Sequence, residues 1–177
     1  ELNPDYAMAQ SNLGSILSDL GKSQELILLS KSTLESNSVN PGYKLLASLR
    51  ITIAYLLQKD FSEVLFNINE IKKMIIEGAI NDIKNEKQKK YFLSFFLFIT
   101  TLYPLLDKKS NNIDLEKIPH IGESHCLSFA HQTLYLDSQL KEIQPVLITG
   151  GQAWYFAKQG NNKWKDSLRQ QIKNHTY

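Results

Sequence analysis

The fold of the first half of the chain is decided by residues 1–22, ELNPDYAMAQSNLGSILSDLGK. Apolar residues recur here at steps of three and four, the spacing of one helix face, and Gly21 ends the run. These residues are Ala9, Leu13, Ile16, Leu17 and Leu20. The same spacing resumes after the glycine in Leu26, Ile27, Leu29 and Leu34. The sequence therefore predicts a helix, a turn and a second helix.

Five positions of this unit resemble the 34-residue tetratricopeptide repeat, namely Pro4, Leu13, Gly14, Leu17 and Gly21. Pro4 would end the second helix of a preceding repeat, Gly14 would let a paired helix approach closely, and Gly21 would supply a left-handed cap. The resemblance implies a helical solenoid in which each repeat packs on its neighbour. It also implies a protein or peptide partner bound along the concave face.

A second, degenerate repeat follows the first, with helices at about 45–57 and 61–76 around a turn at 59–60. A third pair would begin in the charged stretch 82–90 and continue in the apolar run 91–106, YFLSFFLFITTLYPLL. This run is shorter than the ~20 residues of a membrane-spanning helix, and Pro104 would break its last turn. We therefore expect residues 1–106 to form an α-solenoid in which this run is a central helix buried on most sides, without a membrane partner.

The overall composition narrows the class of protein. The 177 residues are 42% hydrophobic and 21% charged, which is typical of a folded chain. With 20 basic and 18 acidic residues the net charge is only +2, so we expect no nucleic-acid partner. The sole cysteine, Cys126, predicts a small buried side chain in a reducing compartment. Since the sequence starts at Glu1 without an initiator Met or a leader, we expect a cytoplasmic fragment of a longer protein.

The second half of the chain has a different pattern, which follows a polar linker at 107–116, DKKSNNIDLE. Its predicted elements are a strand at 117–122, a helix from 124 to about 140, a strand at 144–150 and an amphipathic helix from 162 to about 174 with Trp164, Leu168 and Ile172. Alternating strands and helices favour a parallel sheet. The predicted fold class is therefore α plus α/β, with an incomplete parallel βαβα, flavodoxin-like segment at 117–177.

A candidate chemical site lies where the first of these strands ends. Gly122, Glu123, Ser124 and His125 would stand at the carboxyl end of the sheet, where open α/β folds place their active sites. This stretch resembles the first block of the SGNH (GDSL-like) hydrolase superfamily, Gly-Asp-Ser, with Glu in place of Asp. The resemblance implies that Ser124 is the nucleophile in hydrolysis or transfer of an ester, on a glycan or lipid-linked substrate, without a cofactor.

The same resemblance implies an oxyanion hole formed by the backbone N–H groups of Ser124 and of Gly151 or Gly150. Gly150-Gly151 would face Ser124 across the ends of two neighbouring parallel strands. Trp154 could wall the crevice. We find no spacing typical of a metal site or of a phosphate loop.

No general base can be assigned to Ser124. His125 is its sequence neighbour and faces elsewhere, and His131 would lie about 10 Å along the predicted helix. His120 could line the same crevice, but the sequence shows no partner for it. The family's Asn donor and Asp-x-x-His base are missing from the chain, so we expect the fragment to be inactive. The alternative hypothesis is a non-catalytic interaction protein in which Ser124 only caps a helix beside Glu123.

Overall fold

A computed structural model of the chain describes residues 4–106, 115–122, 124–148, 156–157 and 160–174. The chain divides into two compact units. The first comprises Glu1–Ser18 and Ser23–Tyr103, and the second comprises Asp19–Lys22 and Pro104–Tyr177. Most of the predicted linker at 107–116 lies outside the described residues, and its last residue already belongs to a strand.

The first unit is helical. Its helices are α1 (Pro4–Asp19), α2 (Ser23–Glu35), α3 (Pro41–Leu57), α4 (Phe61–Ile76) and α5 (Glu86–Leu102), with short 3-10 helices at Ala79–Asp82 and Tyr103–Leu105. Gly21, predicted to end the first helix, follows α1 with a φ of 66°, in the left-handed region that glycine adopts without a steric penalty. The predicted order of helix, turn and helix is therefore confirmed for the pair α1 and α2 and for the pair α3 and α4.

Polar residues fix where three of these helices begin. The Asn40 side chain accepts a hydrogen bond from the Gly42 N–H at 2.8 Å, and the Asp60 side chain accepts one from the Glu63 N–H at 3.2 Å. Asn85 caps α5 in the same way. The first N–H groups of a helix have no partner within it, so a side-chain acceptor at this position stabilises the start by about 1 kcal/mol.

The central helix of the first unit is α3, which packs between α2 and α4 and has twelve of its 17 residues buried. The prediction of a third helix pair at 82–106 is wrong, because the single helix α5 spans both parts of it. The prediction that 91–106 is buried on most sides is wrong as well. In α5 the buried residues are Phe92, Ile99 and Leu102, all on one stripe, whereas Leu93 and Leu97 are exposed. An apolar run alone does not say how many neighbours a helix has. Among the described helices, none is long and apolar enough to cross a membrane.

Helix α1 presents a different face to the core than its apolar residues indicate. Leu13 and Ile16, expected in the core, are exposed. Among residues 8–19, whose burial the structure describes, the buried positions are Ser11, Gly14 and Leu17. Arg50 of α3 donates hydrogen bonds to the hydroxyls of Ser11 and Ser15, both at 3.1 Å. These hydrogen bonds join α1 to α3 through polar groups, and hydrophobic periodicity does not indicate such a contact.

The second unit contains a small mixed sheet. Its strands are β1 (Glu116–Gly122), β2 (Thr133–Leu136) and β3 (Gln139–Leu147), in the order β1-β3-β2. β1 and β3 are parallel neighbours, with Gly122 opposite Leu147, and β2 runs antiparallel to β3. The predicted parallel pairing of the two apolar strands is thus confirmed, and the described fold is α-helical with a three-stranded mixed sheet.

The predicted helix from 124 to about 140 is wrong. Only Ser124–Phe129 is helical, as a six-residue 3-10 helix. β2 and β3 then form a hairpin closed by Asp137 and Ser138, whose φ angles are 51° and 64°. Two central residues with positive φ are what a tight two-residue hairpin turn requires. A four-residue strand is too short for its alternation to be told from helical spacing.

The last described helix, α6 (Lys163–Asn174), confirms the helix predicted at about 162–174. Asn162 caps it by accepting a hydrogen bond from the Lys165 N–H at 3.1 Å. Its most buried side chains are Ser167 and Gln171, rather than the apolar stripe expected to face the core. The Gln171 amide donates to the Leu147 carbonyl at 2.8 Å, so a polar contact joins α6 to the end of β3.

Candidate functional site

The hydrolase-like residues are described only in part. Ser124 is the first residue of the 3-10 helix, but its side chain and that of His125 are outside the described part of the chain. Four other predicted site residues lie entirely outside the described part of the chain, namely Glu123, Gly150, Gly151 and Trp154. The distance from Ser124 to Gly151, and with it the oxyanion hole, stays a prediction.

The surroundings of Ser124 are partly as expected. The Ile148 N–H donates to the Gly122 carbonyl at 2.8 Å, so the carboxyl ends of β1 and β3 lie side by side. The predicted α-helix after Ser124 is replaced by six residues of 3-10 helix, which has about three residues per turn and poorer hydrogen-bond geometry. This removes the argument that a full helix dipole supports an oxyanion at Ser124.

The histidines near this site pack into the unit. His120 makes an edge contact with the Phe129 ring, with centroids 5.4 Å apart, and its buried Nδ1 has no hydrogen-bond partner among the described residues. His131 is a core residue that contacts the Glu142 carboxylate at 3.0 Å. Because the Ser124 side chain lies outside the described part of the chain, the general base for its hydroxyl stays unassigned.

Cys126 is buried beside Gly122, as predicted for a small apolar side chain. Burial raises the pKa of its thiol from 9.0 to about 12. Because the thiolate is the reactive form, we expect Cys126 to resist alkylation by iodoacetamide at pH 8 in the folded chain and to react fully in urea. Mass spectrometry of the labelled chain measures both rates. Equal rates with and without urea would contradict the burial of this thiol.

A cleft of about 540 Å³ lies in the first unit, between α2, α3, α4 and the 3-10 helix Ala79–Asp82. We call it the acidic cleft. Its apolar wall consists of Leu34, Pro41, Phe66, Met74 and Ala79. Its polar lining consists of Lys44, Ser48, Asn67, Glu70, Glu77 and Asp82. The cleft thus combines apolar surface with three carboxylates and one ammonium group.

One face of α4 forms the long side of the acidic cleft. Phe66, Glu70, Met74 and Glu77 follow one another at steps of four, four and three, so they lie on one stripe of the helix. The stripe is roughly 16 Å long at ~1.5 Å per residue. Phe66 is 60% exposed, which is unusual for so large an apolar side chain.

The base of the acidic cleft is polar. Ser48 is only 2% exposed, and its hydroxyl donates to the Met74 sulfur at 3.8 Å. A thioether is a weak acceptor, so this hydroxyl is poorly satisfied. Asn67, also buried, uses its amide N–H to donate to the Glu63 carbonyl at 2.8 Å.

The carboxylates of the acidic cleft are unpaired within the described residues. Glu70, Glu77 and Asp82 form no side-chain hydrogen bond or ion pair there, and neither does Lys44. Their negative charges therefore face the solvent of the cleft. In the part of the chain that the structure describes, no group of three His, Cys, Asp or Glu side chains is arranged to hold a metal ion.

Gly42 brings the 3-10 helix close enough to form the end of the acidic cleft. A Cβ at this position would lie 2.6 Å from the Asp82 carbonyl carbon and 2.8 Å from the Ile83 nitrogen. Only a residue without a side chain permits this approach, which places Asp82 at the cleft.

The sequence predicts a helix at about 61–76 but not the acidic cleft. The signal for the cleft in the sequence was a stripe of this helix, with Phe66, Glu70, Met74 and Glu77 at helical spacing. Such a stripe is typical of an exposed helix face. Whether such a stripe lines a cleft depends on which residues, distant in sequence, pack beside it in the folded chain.

Comparisons with protein-family models, curated proteins and solved structures give no match for this chain. The tetratricopeptide and SGNH resemblances therefore stay predictions.

Proposed function

We propose that the helical unit is a protein-interaction module whose acidic cleft binds an extended segment of a partner protein. The observation that carries the proposal is the cleft itself, about 540 Å³ in volume, with Phe66 exposed on its apolar wall. Concave apolar sites with a few polar groups are the default binding sites of proteins. The resemblance of the first helix pair to tetratricopeptide repeats supports the same class of function.

The shape of the cleft favours a peptide segment. The α4 stripe, roughly 16 Å long, matches about five residues of extended chain at ~3.3 Å each. Exposed aromatic side chains are common anchors at protein interfaces. The residues that line the cleft include no histidine or cysteine, and the hydroxyl of its buried Ser48 donates to the Met74 sulfur, so binding suits the lining better than nucleophilic catalysis.

Selection of a phage-displayed random peptide library on the full chain tests this proposal. We expect enriched peptides whose affinity falls about ten-fold or more in Phe66→Ala, since truncating an anchor side chain costs at least ~1–2 kcal/mol. Leu28→Ala is the matched control, because Leu28 is also exposed but does not line the cleft. Peptides that bind both variants equally well would place the binding surface elsewhere.

Ester hydrolysis or acyl transfer by Ser124 is a second candidate, favoured by the parallel pairing of β1 and β3. No general base for Ser124 can be assigned from the sequence. For this chain we therefore expect turnover of p-nitrophenyl acetate to be the same in wild type and Ser124→Ala. A turnover that disappears in Ser124→Ala would make the hydrolase the leading proposal.

A further inference from the structure

The charges of the acidic cleft indicate which kind of segment it takes. Glu70, Glu77 and Asp82 oppose the single cation of Lys44, and none of the four is ion-paired with a described residue. We propose that the cleft selects a partner segment in which lysine or arginine residues stand next to apolar residues. This inference rests on the proposed function, since it specifies the ligand of the same site.

The order of residues along α4 fits such a segment. Glu70 and Glu77 stand on either side of Met74, and Phe66 lies one turn before Glu70. Lysine and arginine can lay their methylene stems on apolar surface while their charged ends reach a carboxylate. A cation over an exposed aromatic ring is further stabilised by about 0.5–1 kcal/mol. The stripe therefore offers alternating contacts for apolar and basic side chains.

The base of the cleft favours a peptide over a small polyamine. The Ser48 hydroxyl, 2% exposed, donates only to the Met74 sulfur in the described structure. A peptide carbonyl is a much stronger acceptor than a thioether, and a polyamine carries no acceptor of this kind. An occupant with backbone carbonyls thus satisfies the buried hydroxyl as well as the carboxylates.

Three labelled synthetic peptides of equal length test the proposal on the full chain. In each peptide leucine alternates with one other residue, which is lysine in the first, glutamate in the second and serine in the third. By fluorescence anisotropy we expect the lysine peptide to bind about ten-fold more tightly than the other two at low salt. This advantage should shrink at high salt, because salt screens exposed charges. The net charge of +2 would by itself favour the glutamate peptide, so a lysine preference reports the local site.

Variants assign that preference to the cleft. In Glu70→Gln/Glu77→Gln we expect the lysine peptide to lose about five-fold or more in affinity and the serine peptide to be unchanged. Glu35→Gln/Glu86→Gln changes the net charge equally, and neither residue lines the cleft, so it should bind as wild type does. Equal losses in both double variants would overturn the proposal.

Two further outcomes would overturn it as well. If the serine peptide binds as tightly as the lysine peptide and loses affinity in Phe66→Ala, the cleft binds peptides without charge selection, and only the present inference fails. If spermine binds the chain as tightly as the lysine peptide does and displaces it, the cleft is a polyamine site. A failure of the proposed function itself gives a different result. In that case neither the synthetic peptides nor the peptides selected from the library would lose affinity in Phe66→Ala.

Discussion

Replacing Glu142 by alanine is expected to lower the free energy of unfolding of the second unit by about 3–5 kcal/mol. The Glu142 carboxylate contacts the His131 Nδ1 at 3.0 Å, and their side chains are only 5% and 3% exposed. Removing one member of a buried polar pair leaves the other in the interior without that interaction. The loss is therefore far larger than the loss of an exposed ion pair.

Urea unfolding followed by tryptophan fluorescence measures this effect, since both tryptophans, Trp154 and Trp164, belong to the second unit. Glu116→Ala is the matched control in the same sheet. Glu116 pairs with Lys141 at 3.0 Å but is 62% exposed, so we expect a loss of no more than about 1 kcal/mol. Similar losses in the two variants would contradict a stabilising role for the buried pair.

Alanine substitutions at two glycines of the first unit are expected to change stability in opposite directions. At Gly42 the new Cβ would lie 2.6–2.8 Å from backbone atoms of Asp82 and Ile83, which cannot move independently, so we expect a loss of about 1–3 kcal/mol. At Gly14 the nearest atoms belong to the flexible Arg50 side chain at 3.5–3.7 Å. This is an ordinary contact, so the close helix approach expected at Gly14 is wrong, and Gly14→Ala should raise the free energy of unfolding by about 0.5–1 kcal/mol.

Thermal unfolding followed by circular dichroism at 222 nm reports on both variants, because most helices belong to the first unit. Gly42→Ala should also weaken peptide binding, since it displaces the 3-10 helix that carries Asp82, and Gly14→Ala should not. A shift of the same sign for both glycines would mean that the close approach at Gly42 does not hold.

The sequence by itself determined the features that depend on neighbouring residues. Helix periods, the stop at Gly21 and the strand at 117–122 were all predicted from short segments of the sequence. These features follow from local backbone preferences, from capping of N–H groups and from the apolar spacing of one element. The burial of Cys126 followed in the same way from its chemical type. The parallel pairing of β1 and β3 was also predicted, but from a crossover helix at 124–140 that the structure does not contain.

The tertiary structure alone decided which faces are buried and where ligands can bind. Ser11 and Gly14 of α1 are buried whereas Leu13 is exposed, and the Ser11 hydroxyl accepts a hydrogen bond from Arg50, 39 residues away in sequence. The segment predicted as a helix from 124 to about 140 instead contains the hairpin turn at Asp137 and Ser138, because β2 forms hydrogen bonds with β3. The acidic cleft is formed where α2, α3, α4 and the 3-10 helix Ala79–Asp82 pack together. Its carboxylates form a site only because distant segments pack together, and no local pattern encodes that approach.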